Sequence, residues 1–542
     1  MLLMSPRMAK GSSQFEGLLD RYFNGVLEDH PVYANFAGLK SGEGKLGHAT
    51  PEFEKRQEDR RQLTLRELDE ISPRDLSNDQ QLDRLALRSL LLREIEDFAR
   101  GRHKKDPDAP ESVLNVLLHE LQRGEEEPER AARNIRSLLR EVPRYLAESA
   151  SLIETPDRVW LRVMDQTVAG AETLFEAVIT FLQRNRPAAW DPEHMGMARK
   201  AIYDYAHTVR ARPLAPEKSY CIGAEMLARR IRDQLGLDYS LGQIEALALD
   251  EVDRVGALLK SAAARLGRGS SAQELLADAR SKWTPEKPLI DLYRVETDRL
   301  KEVFRSSQAV SFPAVERLDV RPVPDFMRAL FPTAAYSAPG AFEKRQRGVF
   351  WVNDLSLTKN SPAEQLAEQQ QHFGLVLTCA HEGYPGHHLQ FVTANQHSRK
   401  WRRLFAHSVF YEGWTLWCEQ MMVDLKVDES PLLKVQQLHD ALWRCHRILV
   451  DLRLQTGRYT YEDSVQHLQK NLSFTRARAE GDVNWYTAQP TVPMSYWLGR
   501  LENDRLRQRL IHGRGWTLQK FNDWLLSFGT IPQAWIEKYG LD

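Results

Sequence analysis

The chain has 542 residues, and 74 Lys and Arg against 75 Asp and Glu give a formal net charge of −1 at pH 7. This balance excludes the overall positive field that non-specific nucleic-acid binding requires, and 42% hydrophobic residues exclude a disordered chain. The four cysteines form no CxxC pair and predict no disulfide framework. The first residues lack the apolar core of a signal peptide, and no apolar run reaches the ~20 residues that span a bilayer. We therefore expect a cytoplasmic protein without a membrane partner.

Apolar residues at three- and four-residue spacing predict a mostly α-helical protein with few strands. The predicted helices are 15–36, 79–100, 128–153, 162–184, 222–236, 241–266, 430–456 and 461–476. The clearest strand is Gly348–Asp354, interpreted either as an ordinary core strand or as an edge that binds an extended substrate by β-addition. A soft boundary near residue 270 separates an N-terminal helical half, 1–270, from a C-terminal half, 271–542, which contains the candidate chemistry.

A helix start follows the predicted strand. Ser361, Pro362 and Glu364 are the residue types favoured at the N-cap, the first and the third position of a capped helix. We expect the candidate metal-binding stretch, Leu375–Gln390 (LVLTCAHEGYPGHHLQ), to lie in and after this helix.

The pair His381-Glu382 begins the most informative pattern in the chain. In the usual HExxH arrangement of zinc proteases, two His four residues apart bind the metal from one helix face and the Glu is the general base. Here Pro385 occupies the fourth position and His387 follows two residues later, off the face of His381 on an unbroken helix. The Pro-Gly step before His387 favours a bulge that returns this residue to the position of the usual second ligand. The alternative is a helix end with surface histidines.

A helix predicted over 404–425 offers a third ligand. Glu412 projects from its apolar stripe, and a buried carboxylate is costly unless it is paired or bound to a metal. The alternative is a salt bridge to a buried arginine such as Arg444 or Arg453. Glu419, two turns further along the same face, either orients a ligand or is solvated.

Three segments resemble signatures of the DUF885 family. His381–Gln390 (HEGYPGHHLQ) is similar to its HExxPGHHxQ motif, Glu412–Glu419 (EGWTLWCE) to its EGWALYxE segment, and Pro490–Gly499 to its P-x-x-x-x-S-Y-x-x-G segment. The N-terminal stretch from Tyr22 to Gly38 is also similar, so the resemblance spans nearly the whole chain.

The resemblance implies a large helical, metallopeptidase-like fold with a central cleft and a small β element near the metal helix, related in plan to thimet oligopeptidase and angiotensin-converting enzyme. It also implies one Zn²⁺ per chain, bound by His381, His387 and Glu412. Glu382 would be the general base towards a metal-activated water. His388 would donate a hydrogen bond or support a ligand, and Mn²⁺, Co²⁺ or Fe²⁺ suits the same donors.

We therefore expect a metallohydrolase that cleaves an amide bond in a small peptide or peptide-like substrate. Tyr496, with Tyr486 second, is the candidate donor to the oxyanion, although a buried Tyr is commonly a packing residue. The chain departs from the family pattern at Gln455, Trp485 and Val492, which stand in place of His, Arg and Gln. The loss of a cation and two polar groups favours a smaller or less polar substrate.

Two other interpretations remain open. The departures favour a specialised tailoring hydrolase of a modified small amide or natural-product intermediate. Alternatively, the chain is a non-catalytic binding protein stabilised by a structural metal, with His388 completing a closed set of four ligands. A nucleic-acid partner is not expected, because the basic cluster at 100–105 is short and followed by acids.

Overall fold

The structure is a computed structural model that describes residues 6–185, 190–267, 271–323 and 333–541. Within these ranges the chain forms two compact units, unit one with residues 6–220 and 340–343, and unit two with residues 221–323, 333–339 and 344–541. The chain first passes from unit one to unit two between Tyr220 and Cys221. The sequence places its soft boundary later, near residue 270.

Unit one is built from helices whose apolar faces form its core. They are α1 (Pro6–Asp29), α2 (Pro31–Phe36), α3 (Pro51–Glu70), α4 (Asn78–Ala99), α5 (Ala109–Arg123), α6 (Pro128–Leu152), α7 (Arg158–Asn185) and α8 (Pro192–Arg210). Ile135, Leu138, Leu139 and Val142 of α6 follow the three- and four-residue spacing seen in the sequence and are fully or almost fully buried. Residues of α5, α7 and α8 complete the same cluster.

Unit two contains the small sheet and the remaining helices. The strands are β1 (Arg317–Pro322), β2 (Ala334–Ser337) and β3 (Arg347–Val352). The helices are α9 (Ala224–Leu235), α10 (Leu241–Arg265), α11 (Ala272–Lys282), α12 (Leu289–Ser306), α13 (Pro362–Gln369), α14 (Leu375–Glu382), α15 (His387–Ala394), α16 (Ser408–Asp424), α17 (Pro431–Gln455), α18 (Tyr461–Leu472), α19 (Arg476–Ala488), α20 (Val492–Arg507), α21 (Leu518–Leu526) and α22 (Gln533–Gly540).

This architecture confirms the predicted mostly helical class with a small β element. The predicted helices 241–266 and 430–456 match α10 and α17 to within one residue at each end. The predicted helix 15–36 is two helices, because Pro31 starts α2 and the residue before a proline is driven out of the helical region. That residue, His30, has φ −115° and ψ 74°.

The predicted helix start at Ser361 is confirmed, but its predicted extent is wrong. Ser361 accepts a hydrogen bond from the backbone N–H of Glu364 in a capping box, and Pro362 is the first helical residue. This helix, α13, ends at Gln369. Gly374 then adopts a left-handed conformation with φ +79°, so a separate helix, α14, carries the His381-Glu382 pair.

The strand predicted at Gly348–Asp354 exists as β3, but the proposal that it offers a free edge is wrong. The sheet order is β1-β3-β2, with β1 parallel and β2 antiparallel to β3. Since β3 pairs on both sides, its backbone donors and acceptors already have partners. The pairing sets Tyr336 of β2 opposite Phe350 of β3.

The described residues contain no helix long and apolar enough to cross a membrane. The four cysteines, Cys221, Cys379, Cys418 and Cys445, are all free, which agrees with the expected absence of a disulfide framework.

Two glycines set the close packing of α16 against α20. A Cβ on Gly413 would lie 2.5 Å from the carbonyl carbon of Gly499, and a Cβ on Gly499 would overlap the carbonyl oxygen of Val409. The obstacle in each case is backbone, which cannot turn aside as a flexible side chain can. The two helices therefore approach closely at this point because neither residue has a side chain.

We expect Gly499→Ala to destabilise unit two by about 1–3 kcal/mol, because the added methyl forces α16 and α20 apart. Gly481→Ala is the matched control: Gly481 lies within α19, and an added Cβ there meets nothing within 4 Å. Its stability should stay the same or rise by up to about 1 kcal/mol. Thermal unfolding followed by circular dichroism compares the two variants, and equal midpoints would contradict the packing argument.

Candidate metal centre

A break between two helices brings His381 and His387 together. His381 lies in the last turn of α14, and His387 is the first residue of α15. Between them, a Cβ on Gly386 would overlap the carbonyl oxygen of His381, so only glycine fits. Trp414 donates its indole N–H to the carbonyl of Pro385 over 2.9 Å and holds the turn. The predicted bulge is thus a full helix break, and the two imidazole centroids are 5.0 Å apart.

Glu412 on α16 completes a cluster with the two histidines. Its Oε2 lies 3.7 Å from Nε2 of His381 and 3.5 Å from Nε2 of His387. All three residues are buried, and their candidate ligand atoms lie within 4.8 Å of one another. The distances exceed those of hydrogen bonds between nitrogen and oxygen. Oε2 of Glu412 has no hydrogen-bond partner within the described residues.

These donors fit a single divalent cation. Bonds of ~2.0–2.1 Å at tetrahedral angles put neighbouring ligand atoms roughly 3.3–3.4 Å apart, close to the separations around Oε2. Two imidazole nitrogens and one carboxylate oxygen form a donor set typical of zinc and related metals. Among the residues that the structure describes, three side chains converge here, whereas a closed structural zinc site usually has four protein ligands.

Glu419 fixes the orientation of His381. Nδ1 of His381 donates to Oε1 of Glu419 over 2.8 Å, which turns Nε2 towards Glu412. Glu419 is buried, so of its two predicted environments the solvated one is not what the structure shows. Burial alone would lower the pKa of His381, but the carboxylates of Glu412 and Glu419 raise it to about 10.

The carboxylates of the cluster are held at different pKa values. Burial by itself would raise the pKa of Glu412, but the imidazoles of His387 and His381 outweigh this effect and lower it. Glu382, next to His381, is half-buried, and burial together with the negative charge of Glu412 raises its pKa above the usual value. The two carboxylates therefore differ in their affinity for a proton.

The alternative role of Glu412 in a salt bridge is not what the structure shows. Arg453 donates to Glu245 over 2.9 Å and to the hydroxyl of Tyr459. Arg444 pairs loosely with Asp440 at 4.0 Å. Neither arginine forms an ion pair with Glu412.

Tyr496 lies beside the cluster of His381, His387 and Glu412, whereas the hydroxyl of Tyr486 is bonded to other residues. Burial, together with the negative charge of the nearby Glu412, raises the pKa of the Tyr496 phenol well above the usual value. The hydroxyl of Tyr486 donates to Asp482 over 2.9 Å and accepts from Nε of Arg447 over 3.1 Å. Its proton is therefore engaged away from the three candidate ligands.

His388 points into a separate polar network. Its Nε2 donates to Oε2 of Glu316 over 2.9 Å, and Nδ1 accepts from the hydroxyl of Tyr336 over 3.1 Å. Glu316 also accepts from Lys301 and from the hydroxyl of Tyr384. His388 is thus committed to Glu316 and does not complete a fourth ligand position.

Two residues of this network were missed by sequence reasoning. The ring of Tyr336 stacks on His387, with centroids 6.3 Å apart and an interplanar angle of 14°. Its position depends on the pairing of β2 with β3, where Gly348 leaves room for the phenol and for His388. Glu316 precedes β1 in a segment with no motif. No local signal could have identified either residue.

The three departures from the family pattern lie near the start of α20. Gln455 donates from its side chain to the carbonyl of Tyr486 over 2.8 Å, and Val492 is the first residue of α20. The ring of Trp485 lies 6.1 Å from that of Tyr496. Asp451, one turn before Gln455, accepts from the backbone N–H of Met494 over 3.4 Å. These contacts anchor the helix that carries Tyr496.

The fold and the site define a mostly helical protein with a buried His-His-Glu cluster beside a half-buried glutamate. The family model described as "Bacterial protein of unknown function (DUF885)" matches residues 31–539, and the chain belongs to this family. No curated protein matches the chain.

Two solved structures share the fold. One is described as a putative lipoprotein of unknown function from Shewanella oneidensis, with a TM-score of 0.77, 18% identity, and coverage of 97% of this chain and 100% of that chain. The other is described as the putative lipoprotein from Colwellia psychrerythraea, with a TM-score of 0.75, 17% identity, and coverage of 97% and 98%. At these identities the likeness shows the fold alone.

The network around Glu316 predicts a pH-dependent contribution to stability. Burial would raise the pKa of Glu316, but hydrogen bonds from His388, Lys301 and Tyr384 lower it from 4.5 to about 2. A carboxylate with a lowered folded-state pKa stabilises the fold above the unfolded value, and this stability is lost as the pH falls from about 4.5 to about 2.

We expect Glu316→Gln to lower the free energy of unfolding of unit two by about 3 kcal/mol at pH 7 and by about 1 kcal/mol at pH 3. Glu302→Gln, the same change at an exposed position of α12, should stay within about 0.5 kcal/mol at both pH values. Urea unfolding of both variants measures the difference. A deficit for Glu316→Gln that is equal at pH 7 and pH 3 would contradict the assigned pKa.

Proposed function

We propose that the chain is a zinc-dependent hydrolase that cleaves an amide bond in a peptide or peptide-like substrate. The observation that carries this proposal is the convergence of His381, His387 and Glu412 around an unpartnered carboxylate oxygen, with Glu382 directly beside them. A divalent cation bound by the three ligands supplies a Lewis acid that polarises a carbonyl and lowers the pKa of water.

Glu382 is the proposed general base. Its raised pKa lies closer to neutral pH than that of an ordinary carboxyl, which favours accepting a proton and then delivering it to the leaving amine. The two carboxylates have different roles in this proposal. Glu412, with its lowered pKa, stays ionised as a ligand, and Glu382 accepts and releases the proton.

Tyr496 is the proposed donor to the oxyanion. Its phenol is buried close enough to Glu412 for that carboxylate to raise its pKa, and a neutral hydroxyl is a hydrogen-bond donor. Tyr486 is the weaker candidate, because its proton is bonded to Asp482. His388 is proposed to act by holding Tyr336 against His387.

The non-catalytic alternative has less support. A structural zinc site is usually closed by four protein ligands, and the fourth candidate, His388, is bonded to Glu316. The narrower interpretation, a tailoring hydrolase of a modified small amide, uses the same ligands and base and differs only in the substrate.

The proposal includes a cytoplasmic location. Its support is the four free cysteines, because a reducing compartment keeps thiols unpaired. Both structural relatives are described as putative lipoproteins, and that description applies to those proteins.

We expect the purified chain to contain about one zinc per molecule, since three protein ligands leave a single open site. Glu412→Ala should lose the metal, whereas Asp424→Ala, which removes an exposed carboxylate from the same helix, should retain it. Elemental analysis after dialysis measures both. Absence of metal from the unaltered chain, even after zinc is supplied, would overturn the metal centre and the hydrolase with it.

Glu382→Gln should retain the metal and lower the turnover of peptide substrates by about 10²–10⁴-fold, because the base is removed but no ligand is. Glu368→Gln, a change of the same type on α13, should leave turnover unchanged. A mixed peptide library supplies the substrates, and mass spectrometry detects the products. Equal rates for Glu382→Gln and the unaltered chain would exclude Glu382 as the base.

A further inference from the structure

Three guanidinium groups meet at the ring of Trp443. The Cζ atoms of Arg444 and Arg447 on α17 lie 4.0 and 4.1 Å from the Trp443 ring centroid, and that of Arg478 on α19 lies 4.9 Å away. Asp440 and Asp482 are the acids that pair with this group, at 4.0 Å from Arg444 and 3.9 Å from Arg447. Neither ion pair is close.

Arg447 is a buried cation whose charge is poorly balanced. Its residue is 5% exposed, and its ion pair with Asp482 is long, at 3.9 Å. The carboxylate of Asp482 already accepts from the hydroxyl of Tyr486 and from the indole of Trp443. Within the described residues, Nη1 of Arg447 has no hydrogen-bond partner. A buried charge without a close counter-ion is costly, and a bound anion would offset that cost.

Arg444, one turn earlier on α17, has the same incomplete bonding. Its Nη1 donates to the backbone carbonyl of Asp440 over 3.3 Å and lies 4.0 Å from the carboxylate of that residue. Its Nε has no partner within the described part of the chain. Two neighbouring arginines thus each retain an unused N–H donor, and arginine donors in a planar fork match the geometry of a carboxylate.

These arginines border the candidate metal centre. The guanidinium of Arg447 lies 4.5 Å from the ring centroid of Tyr496, the proposed oxyanion donor. Arg444 lies one turn before Arg447 on α17. A substrate whose amide lies at the cluster would therefore extend its neighbouring groups towards these guanidinium groups.

We propose that Arg444 and Arg447 form an anion subsite that binds the terminal carboxylate of a short peptide or peptide-like substrate, so that the cleaved amide lies close to a free C-terminus. This inference rests on the proposed hydrolase function and names its substrate class. It replaces the expectation of a less polar substrate, which was based on the missing cation at Trp485. The guanidinium of Arg447 lies 5.2 Å from the Trp485 ring and supplies a cation in the same region.

The test measures binding without turnover. In the zinc-loaded Glu382→Gln chain, isothermal titration calorimetry compares N-benzoylglycylphenylalanine with its C-terminal amide, followed by matched libraries of N-acetylated dipeptide acids and amides. The acids should bind at least about tenfold more tightly, because truncating one partner of a buried charge pair has effects of this size or larger.

Variants in the same background assign the preference to the subsite. Arg447→Met and Arg444→Met should each lower the affinity for the acids by about tenfold or more and leave the affinity for the amides within about twofold. Arg447 is packed among aromatic rings, so Arg447→Met could prevent folding. In that case Arg444→Met alone tests the subsite. Arg453→Met is the control, because Arg453 lies on the same helix but is bonded to Glu245 and Tyr459.

The outcomes separate the two proposals. Equal affinity for acids and amides, or failure of every dipeptide acid to bind a chain that contains its zinc, would overturn the anion subsite. Parallel losses for acids and amides in both arginine variants would do the same, since they would indicate a general disturbance of the fold. A chain without metal would instead overturn the proposed hydrolase.

Discussion

The buried carboxylate of Glu412 is the constraint on which the structure of unit two depends. A carboxylate removed from water needs a compensating positive charge or hydrogen bonds, yet its Oε2 has no hydrogen-bond partner in the described residues. What surrounds it is two imidazole nitrogens at 3.5 and 3.7 Å. The carboxylates of Glu412 and Glu419 raise the pKa of the His381 imidazole, so its charged form offsets part of this cost. A divalent cation bound by the same donors would take the place of that proton.

Glycines allow the backbone to bring the histidines and Tyr496 close to Glu412. Gly386 lets the chain turn against the carbonyl of His381, which brings His387 to the partner position. Gly413 and Gly499 let α16 and α20 approach closely, one residue from Glu412 and one turn from Tyr496. The conformational cost of glycine within a helix is about 0.5–1 kcal/mol each. The close approach of α16 and α20 sets the spacing between Glu412 and Tyr496, and this spacing requires glycine despite its conformational cost.

Most of the fold and the candidate ligands could be predicted from the sequence, because both follow from local patterns. Helical periodicity located α6, α10 and α17, and the Pro-Gly step indicated a break that brings His387 to His381. The failures involve contacts that are distant in sequence. The helix from Ser361 ends at Gln369, and α14 begins only after Gly374 in a left-handed conformation, which no periodicity reveals. Tyr336 reaches the cluster only because β2 pairs with β3.

The charge that a substrate meets near Trp485 depends on more than the residue at that position. The resemblance implies a cation there, and α17 places the guanidinium of Arg447 5.2 Å from the Trp485 ring from another part of the chain. A substrate interacts with the summed charge of all the groups near it. Here those groups are the arginines at Trp443, which lie on both α17 and α19. His388 is bonded to Glu316, whereas Arg444 and Arg447 each keep an N–H donor without a hydrogen-bond partner within the described residues. An anionic group bound at these arginines would therefore replace a missing counter-charge.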